Sequence, residues 1–285
     1  MYTIFDPVML GLKTPYEEII PLVAKHGIGG VAISPEMLDD GGRAIEADKM
    51  MKDYGLKWGT LPFAEDFYAK QVDDALFEKG LDRLKRWCDI CGRIGLTRSY
   101  NHIWSGSDTR EFDENFEWHV RRMEKVHQVL KDHEMFYGLE FLGPKPIRDS
   151  YKHLFVHTIA GVLAIAGAVS REIGFLFDVY HWYCGSGRWD DVYFAAQNTD
   201  RMLCIHLDDG IAGVARDAQQ DFVRAMPMTT GVIDAKKIVG LFAQNGYDGP
   251  VLCEPLGDPV RRLAAMPLEQ AVGEVAAAYT RTLAV

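Results

Sequence analysis

Apolar positions follow two alternating rhythms along this chain. Short, nearly continuous apolar runs are followed by longer stretches in which apolar residues recur every three or four positions. The first kind predicts strands buried on both faces, and the second predicts amphipathic helices packed over them. Strand-like runs fall at 2–10, 28–34, 56–63, 96–103, 136–142, 173–179, 202–207 and 251–256. Helical patterns separate them at 43–54, 72–94, 112–134, 157–170, 188–198, 234–245 and 268–283. One more helix is expected after the first run. Thr14 would be its N-cap, Pro15 its first position and Glu17 its third, with Gly27 as the stop.

Eight such alternations in 285 residues predict an α/β protein, a (β/α)8 TIM barrel that forms one domain over residues 1–285. In such a barrel every strand delivers its C-terminal end to one face, where the active site sits. The rival is a doubly wound sheet, which usually carries a glycine-rich phosphate loop after its first strand. Here the first run continues into Met9-Leu10-Gly11-Leu12-Lys13, and neither a G-x-G-x-x-G nor a Walker loop occurs. No low-complexity linker or charge block offers a place to divide the chain.

The stretch Phe175-Leu176-Phe177-Asp178-Val179-Tyr180-His181-Trp182-Tyr183 stands out, because an apolar strand runs into a carboxylate and an imidazole. Unpaired buried charge is costly, so Asp178 is expected at the strand rim with a partner. Beyond Asp178 the chain, with Trp182, Tyr183, Gly185 and Gly187, reads as a loop of aromatics and glycine. Three other runs end alike, in Glu140, His206 and Glu254. Three carboxylates and one imidazole on adjacent strand ends would carry a charge of about −3 at their reference pKa values. They would repel one another and need a cation. The mixed oxygen and nitrogen donors suit Mn2+, Mg2+ or Co2+ rather than a structural zinc.

Composition narrows the field. The net charge of −10 argues against nucleic acid or an anionic membrane as partner. The N-terminus shows no signal peptide, and Arg171 and Glu172 interrupt the most apolar run. Five scattered cysteines, Cys88, Cys91, Cys184, Cys204 and Cys253, fit a reduced, cytoplasmic protein. Cys88 and Cys91 form a C-x-x-C inside a helical pattern and are read as core.

Four segments then resemble a known group: Gly138-Leu139-Glu140-Phe141-Leu142-Gly143-Pro144, Phe177-Asp178-Val179-Tyr180-His181-Trp182, Ile205-His206-Leu207-Asp208-Asp209 and Val251-Leu252-Cys253-Glu254-Pro255. They are similar to the xylose-isomerase-like barrel superfamily of sugar isomerases and epimerases. The resemblance is sharp from about 136 to 257 and is one of layout before that. It implies that Glu140, Asp178, His206 and Glu254 bind one divalent metal, Mn2+ ahead of Mg2+ or Co2+, with Glu140 and Glu254 exchanging protons with a sugar carbon through a metal-stabilised enediolate. It implies a substrate contact for His181 and for an arginine downstream, Arg224 ahead of Arg216. Lys145 is expected to share in fixing the far end of the substrate. Trp182 is expected to stack on the sugar, and Tyr183, Tyr100, Asn101, His102 and Trp104 to wall the pocket.

Two departures mark this chain. Pro227-Met228-Thr229-Thr230-Gly231 is longer and poorer in glycine than the family's turn, and Phe141-Leu142-Gly143-Pro144-Lys145 is unlike a free-ketohexose epimerase. The same superfamily contains metal-dependent lyases, dehydratases and 3-oxo-glycoside deglycosidases, and these form the alternative reading. A non-catalytic sugar-binding or partner subunit is the third. The apurinic endonucleases of the superfamily bind three zinc ions with many more histidines, and DNA repair fits poorly with nine histidines and an acidic chain. The resemblance also implies a homo-oligomer, dimer or tetramer, and allows a hetero-oligomer for a deglycosidase. A small sugar or sugar derivative is the expected partner.

Overall fold

The computed structural model describes residues 1–283. Its eight main strands are β1 (Tyr2–Phe5), β2 (Gly30–Val31), β3 (Lys57–Trp58), β4 (Arg98–Ile103), β5 (Phe136–Phe141), β6 (Gly174–Asp178), β7 (Met202–Leu207) and β8 (Pro250–Cys253). All are parallel, in the order β3-β2-β1-β8-β7-β6-β5-β4. The two outer strands of that order are joined where the chain after β3 bridges β4, Leu61 opposite Ser99. Leu61 donates its N–H to the Arg98 carbonyl at 2.8 Å, so the sheet curls into the expected (β/α)8 barrel.

Side chains alternate across each strand, because successive Cβ atoms point to opposite faces. Val31, Leu139, Phe175, Phe177, Ile205 and Val251 join the large core beneath the helices. Their neighbours Ile4, Ala32, Leu176, Cys204 and Leu252 form a second, smaller cluster with Tyr100 and Phe136 packed on it. That cluster fills the barrel interior. One further step along the inward-facing register brings the sequence to Asp6, His102, Glu140, Asp178, His206 and Glu254. The barrel floor is thus hydrocarbon and its rim ionisable, which is how two-residue periodicity converts a strand ending into a site.

Several elements are shorter than the apolar runs predict. β1 stops at Phe5 because Asp6 Oδ1 accepts hydrogen bonds from the backbone N–H groups of Val8 and Met9, each at 2.9 Å, and turns the chain. The first helix is Tyr16–Lys25, with Pro15 at the capping position and no side-chain cap, so Thr14 does not cap it. Helix Asp74–Ile94 does have its cap, Asp73, and ends on Gly95 at φ 73. Helix Ile159–Val169 is capped by Thr158, and Ala235–Gln244 by Asp234. A further helix, Asp258–Ala264, departs from the expected pattern. No described helix is long and apolar enough to cross a membrane.

Candidate metal centre

β6 reaches the rim with Asp178, and the chain turns at once into helix Val179–Gly185. The expected loop is therefore a helix. Asp178 is its N-cap: Oδ1 accepts from Tyr180 N–H at 2.7 Å and from His181 N–H at 2.9 Å. This fixes the carboxylate and leaves Oδ2 for the barrel mouth.

Glu140 from β5, Asp178 from β6, His206 from β7 and Glu254 just past β8 meet there. One ligand atom from each lies within 4.8 Å of all the others. His206 Nδ1 is 3.1 Å from Glu254 Oε2 and 3.4 Å from Glu140 Oε1. Glu140, Asp178 and His206 are buried, and Glu140 Oε1 has no hydrogen-bond partner. A buried carboxylate oxygen without a partner is rare and calls for one. The donor set is hard, compact and anionic, so these residues fit a divalent cation.

Arg224 is buried beside the cluster, and all three of its guanidinium nitrogens are engaged. Nη1 is 2.9 Å from Asp178 Oδ2, 3.0 Å from Glu254 Oε2 and 2.6 Å from Asp208 Oδ2. Nη2 donates to Asp221 Oδ1 at 2.7 Å, and Nε to the Asp221 carbonyl at 2.9 Å. The arginine is held there by its loop: Ala225 and Asp209 form an antiparallel bridge, and Arg224 N–H donates to the Leu256 carbonyl at 3.2 Å. Asp209 in turn accepts four backbone N–H groups, from Gly210, Thr230, Gly231 and Ile233.

The electrostatics follow from these contacts. Burial pushes the Asp178 carboxyl up, but the neighbouring His181 and Arg224 more than offset it and hold it well below the usual carboxylate range. Asp208 goes the other way, raised by burial and by the charge of Asp178. For His206, burial opposes protonation, yet the Glu254 carboxylate raises its pKa well above the ordinary imidazole value.

His181 lies against Arg224. Gly143 donates its N–H to His181 Nδ1 at 3.2 Å, so the neutral ring carries its proton on Nε2. Nε2 faces Arg224 Nη2, also a donor, at 3.1 Å. Two N–H groups meet there, with Asp178 Oδ2 and Asp221 Oδ1 3.7 and 3.8 Å from Nε2.

Of the other expected site residues, Arg216 is exposed and donates to the Ser186 carbonyl at 2.9 Å, which leaves Arg224 as the arginine at the cluster. Lys145 pairs with Asp149 one turn along its own helix, with no bond to the cluster. Trp182 is buried: its indole N–H donates to the Arg188 carbonyl at 2.9 Å, and its ring packs on Phe177 and Trp189. The structure gives it a packing role in place of the expected stacking on sugar. Asn101 faces outward and accepts from Tyr137 Oη at 3.2 Å. His102 and Trp104 both bond Asp66 Oδ2, at 3.1 and 2.9 Å.

Asp6, Asp66, Asp208 and Asp221 do not stand out in the sequence as site residues. Asp208 has a usable signal, since it lies two positions beyond His206 and so shares its face. A cavity of 240 Å³ is lined by Asp6, Thr60, Phe63, Tyr100 and Leu252, and by none of the four clustered residues. The Tyr100 ring stands 5.5 Å from that of His206. A larger cavity of 720 Å³ lies among the outer helices, near Tyr193 and Leu241, and touches none of these groups. Tyr100, whose ring faces that of His206, ties the smaller cavity to the cluster.

Residues 20–281 match the profile of a family described as a xylose isomerase-like TIM barrel. No curated protein matches the sequence. Among solved structures, a xylose isomerase domain protein from Alicyclobacillus acidocaldarius superposes with a TM-score of 0.80 at 20% identity, covering 99% of this chain and 98% of that one. The IOLI protein with a bound zinc atom gives 0.79 at 16%, covering 100% of both chains. D-psicose 3-epimerase with D-tagatose, from Clostridium cellulolyticum H10, gives 0.72 at 13%, covering 99% and 98%. At these identities the likeness to each solved structure is one of fold.

Proposed function

The chain belongs to the xylose isomerase-like TIM-barrel family, and from that premise we propose that it is a divalent-metal-dependent isomerase or epimerase of a sugar or sugar derivative. The observation that carries this reading is the convergence of Glu140, Asp178, His206 and Glu254 from four strand ends. The zinc-bound and epimerase neighbours support it. Mn2+ is the ion the oxygen-rich donor set favours, with Mg2+ or Co2+ as substitutes. Once held by these four residues, the ion would supply Lewis-acid chemistry, acidifying the carbon next to a carbonyl and offsetting negative charge on oxygen.

The protein's own groups then divide the work. Glu140 and Glu254 are the acid/base pair. Glu140 Oε1 accepts no hydrogen bond, with His206 Nδ1 standing 3.4 Å away, whereas Glu254 Oε2 is tied to His206 and Arg224. One takes the proton from carbon and the other returns it, to the opposite face in epimerisation or to the neighbouring carbon in isomerisation. His181 Nε2–H and Arg224 Nη2–H offer two donors to one substrate oxygen. Phe63 and Tyr100 present apolar walls to the carbon skeleton, and Asp6 and Thr60 present acceptors to its hydroxyls.

The test tracks the proton. Ketohexoses, inososes and 3-oxo-glycosides are incubated with the Mn2+-loaded protein in D2O. The expected result is a recovered epimer or isomer carrying deuterium at the reacting carbon, with a rate about 10²–10⁴ lower in Glu254→Gln. An unsaturated or dehydrated product would instead make the protein a lyase. Full activity in Glu254→Gln would overturn the acid/base assignment.

A further inference from the structure

Among the described residues, Arg224 is the only arginine or lysine within ion-pair distance of the four clustered side chains. Its Nη1 lies 2.9 Å from Asp178 Oδ2 and 3.0 Å from Glu254 Oε2. Those are lone pairs that a metal would need. Glu140 Oε1, on another side of the cluster, is left without a partner. The guanidinium therefore neutralises one edge of the site and not the whole of it.

A second cradle for the same side chain lies next to the first and shares none of the four clustered residues. Asp208 Oδ2 is 2.6 Å from Nη1, and Asp221 Oδ1 is 2.7 Å from Nη2. Asp208 Oδ1 is buried with no partner at all. It is an acceptor placed beside the arginine and unused in this conformation. A guanidinium that let go of Asp178 and Glu254 would find two carboxylates already at hand and one oxygen waiting.

We propose that Arg224 is a built-in cation that competes with the divalent metal for Asp178 and Glu254, and that metal loading drives it back onto Asp208 and Asp221. The proposal rests on the reading of the four-strand cluster as a metal site. Its physical basis is that two cations cannot share the same lone pairs, while their mutual repulsion in a buried site is weakly screened. Without metal, Arg224 holds the acids together and keeps the site assembled. With metal, it becomes a neighbour of the ion, free to turn Nη2 towards a substrate oxygen. Metal affinity is then set by Arg224 and Asp208 as a pair.

The experiment is calorimetric titration of the metal-stripped full chain with Mn2+ alone. Arg224→Met is expected to bind Mn2+ at least about tenfold more tightly than the wild type, as loss of an adjacent positive charge requires. A simple field effect would do the same, so a double-mutant cycle separates the two. Asp208→Asn removes the fallback and is expected to weaken Mn2+ binding about fivefold or more in the wild-type background. In the Arg224→Met background, where there is no guanidinium to receive, the same change is expected to matter less than about twofold. The double variant also removes both partners of the Arg224–Asp208 contact, so neither is left facing an empty place if Arg224→Met alone folds poorly. Equal weakening by Asp208→Asn in both backgrounds would overturn the proposal, as would an Arg224→Met protein that binds Mn2+ no more tightly than the wild type. If the wild type binds no divalent ion, it is the metal reading that fails, and this inference with it.

Discussion

At the scale of single residues, the site is built from side chains that do two things at once. Asp178 spends Oδ1 on the helix that follows it and Oδ2 on the barrel mouth. His181 spends Nδ1 on the Gly143 backbone and keeps Nε2 for the cluster. His119 is the contrasting case, an imidazole spent wholly on packing. It lies between Tyr68 and Phe155, with ring centroids at 5.1 and 4.7 Å, donates Nδ1–H to the Asn115 carbonyl at 2.7 Å, and leaves Nε2 buried without a partner. Burial pushes its pKa down to about 3, against the pull of the Asn115 carbonyl. An unfolded histidine titrates near ~6.5, so between that pH and about 3 the unfolded chain binds a proton that the folded chain refuses. The stability owed to neutral His119 is thus fully present above ~6.5 and is lost as the pH falls through that window. Urea denaturation over a pH series should show a slope that His119→Phe flattens by about one proton. An unchanged slope in the variant would contradict the assignment.

At the scale of elements, the decisive one is helix Val179–Gly185, because it aims His181. It seats itself against the turn after β5 by close backbone approach. A Cβ on Gly143 would lie 1.9 Å from the His181 carbonyl oxygen and 2.7 Å from the Gly185 nitrogen, and backbone cannot swing aside as a side chain can. Gly143→Ala is expected to cost about 1–3 kcal/mol in chemical denaturation, with the helix pushed off its seat. A variant as stable as the wild type would show that the contact is slack. This helix is not legible in the sequence. Seven residues are too few to display a 3.6-residue rhythm, and the aromatics with Gly185 and Gly187 read equally well as a loop. The long helices Asp74–Ile94 and Phe112–Asp132 are legible, since each repeats its apolar stripe over several turns.

At the scale of the whole molecule, the barrel can be read because eight apolar runs alternate with helices, although β2 and β3 turn out to be two residues long. The four clustered residues are legible for one reason: each ends an apolar run, and the barrel brings all strand ends to one face. Their surroundings are not. Arg224 meets Asp178 across 46 positions of sequence, and nothing local to Asp208 or Asp221 says which arginine they will hold. Lys145 and Trp182 show the opposite limit. A strand end fixes where a backbone goes, but not whether a long lysine turns to its helix neighbour or an indole into the core. The proposed function stands on the four-strand cluster holding one divalent ion. The direct measurement is the Mn2+ bound per chain, counted from free Mn2+ by electron paramagnetic resonance as stripped protein is titrated. Asp178→Asn serves as the control, because asparagine keeps the helix cap and removes the charged ligand. One ion per chain is predicted in the wild type, with binding weakened about tenfold or more in the variant. No bound Mn2+ in the wild type, or equal binding in the two proteins, would contradict a metal site at these strand ends.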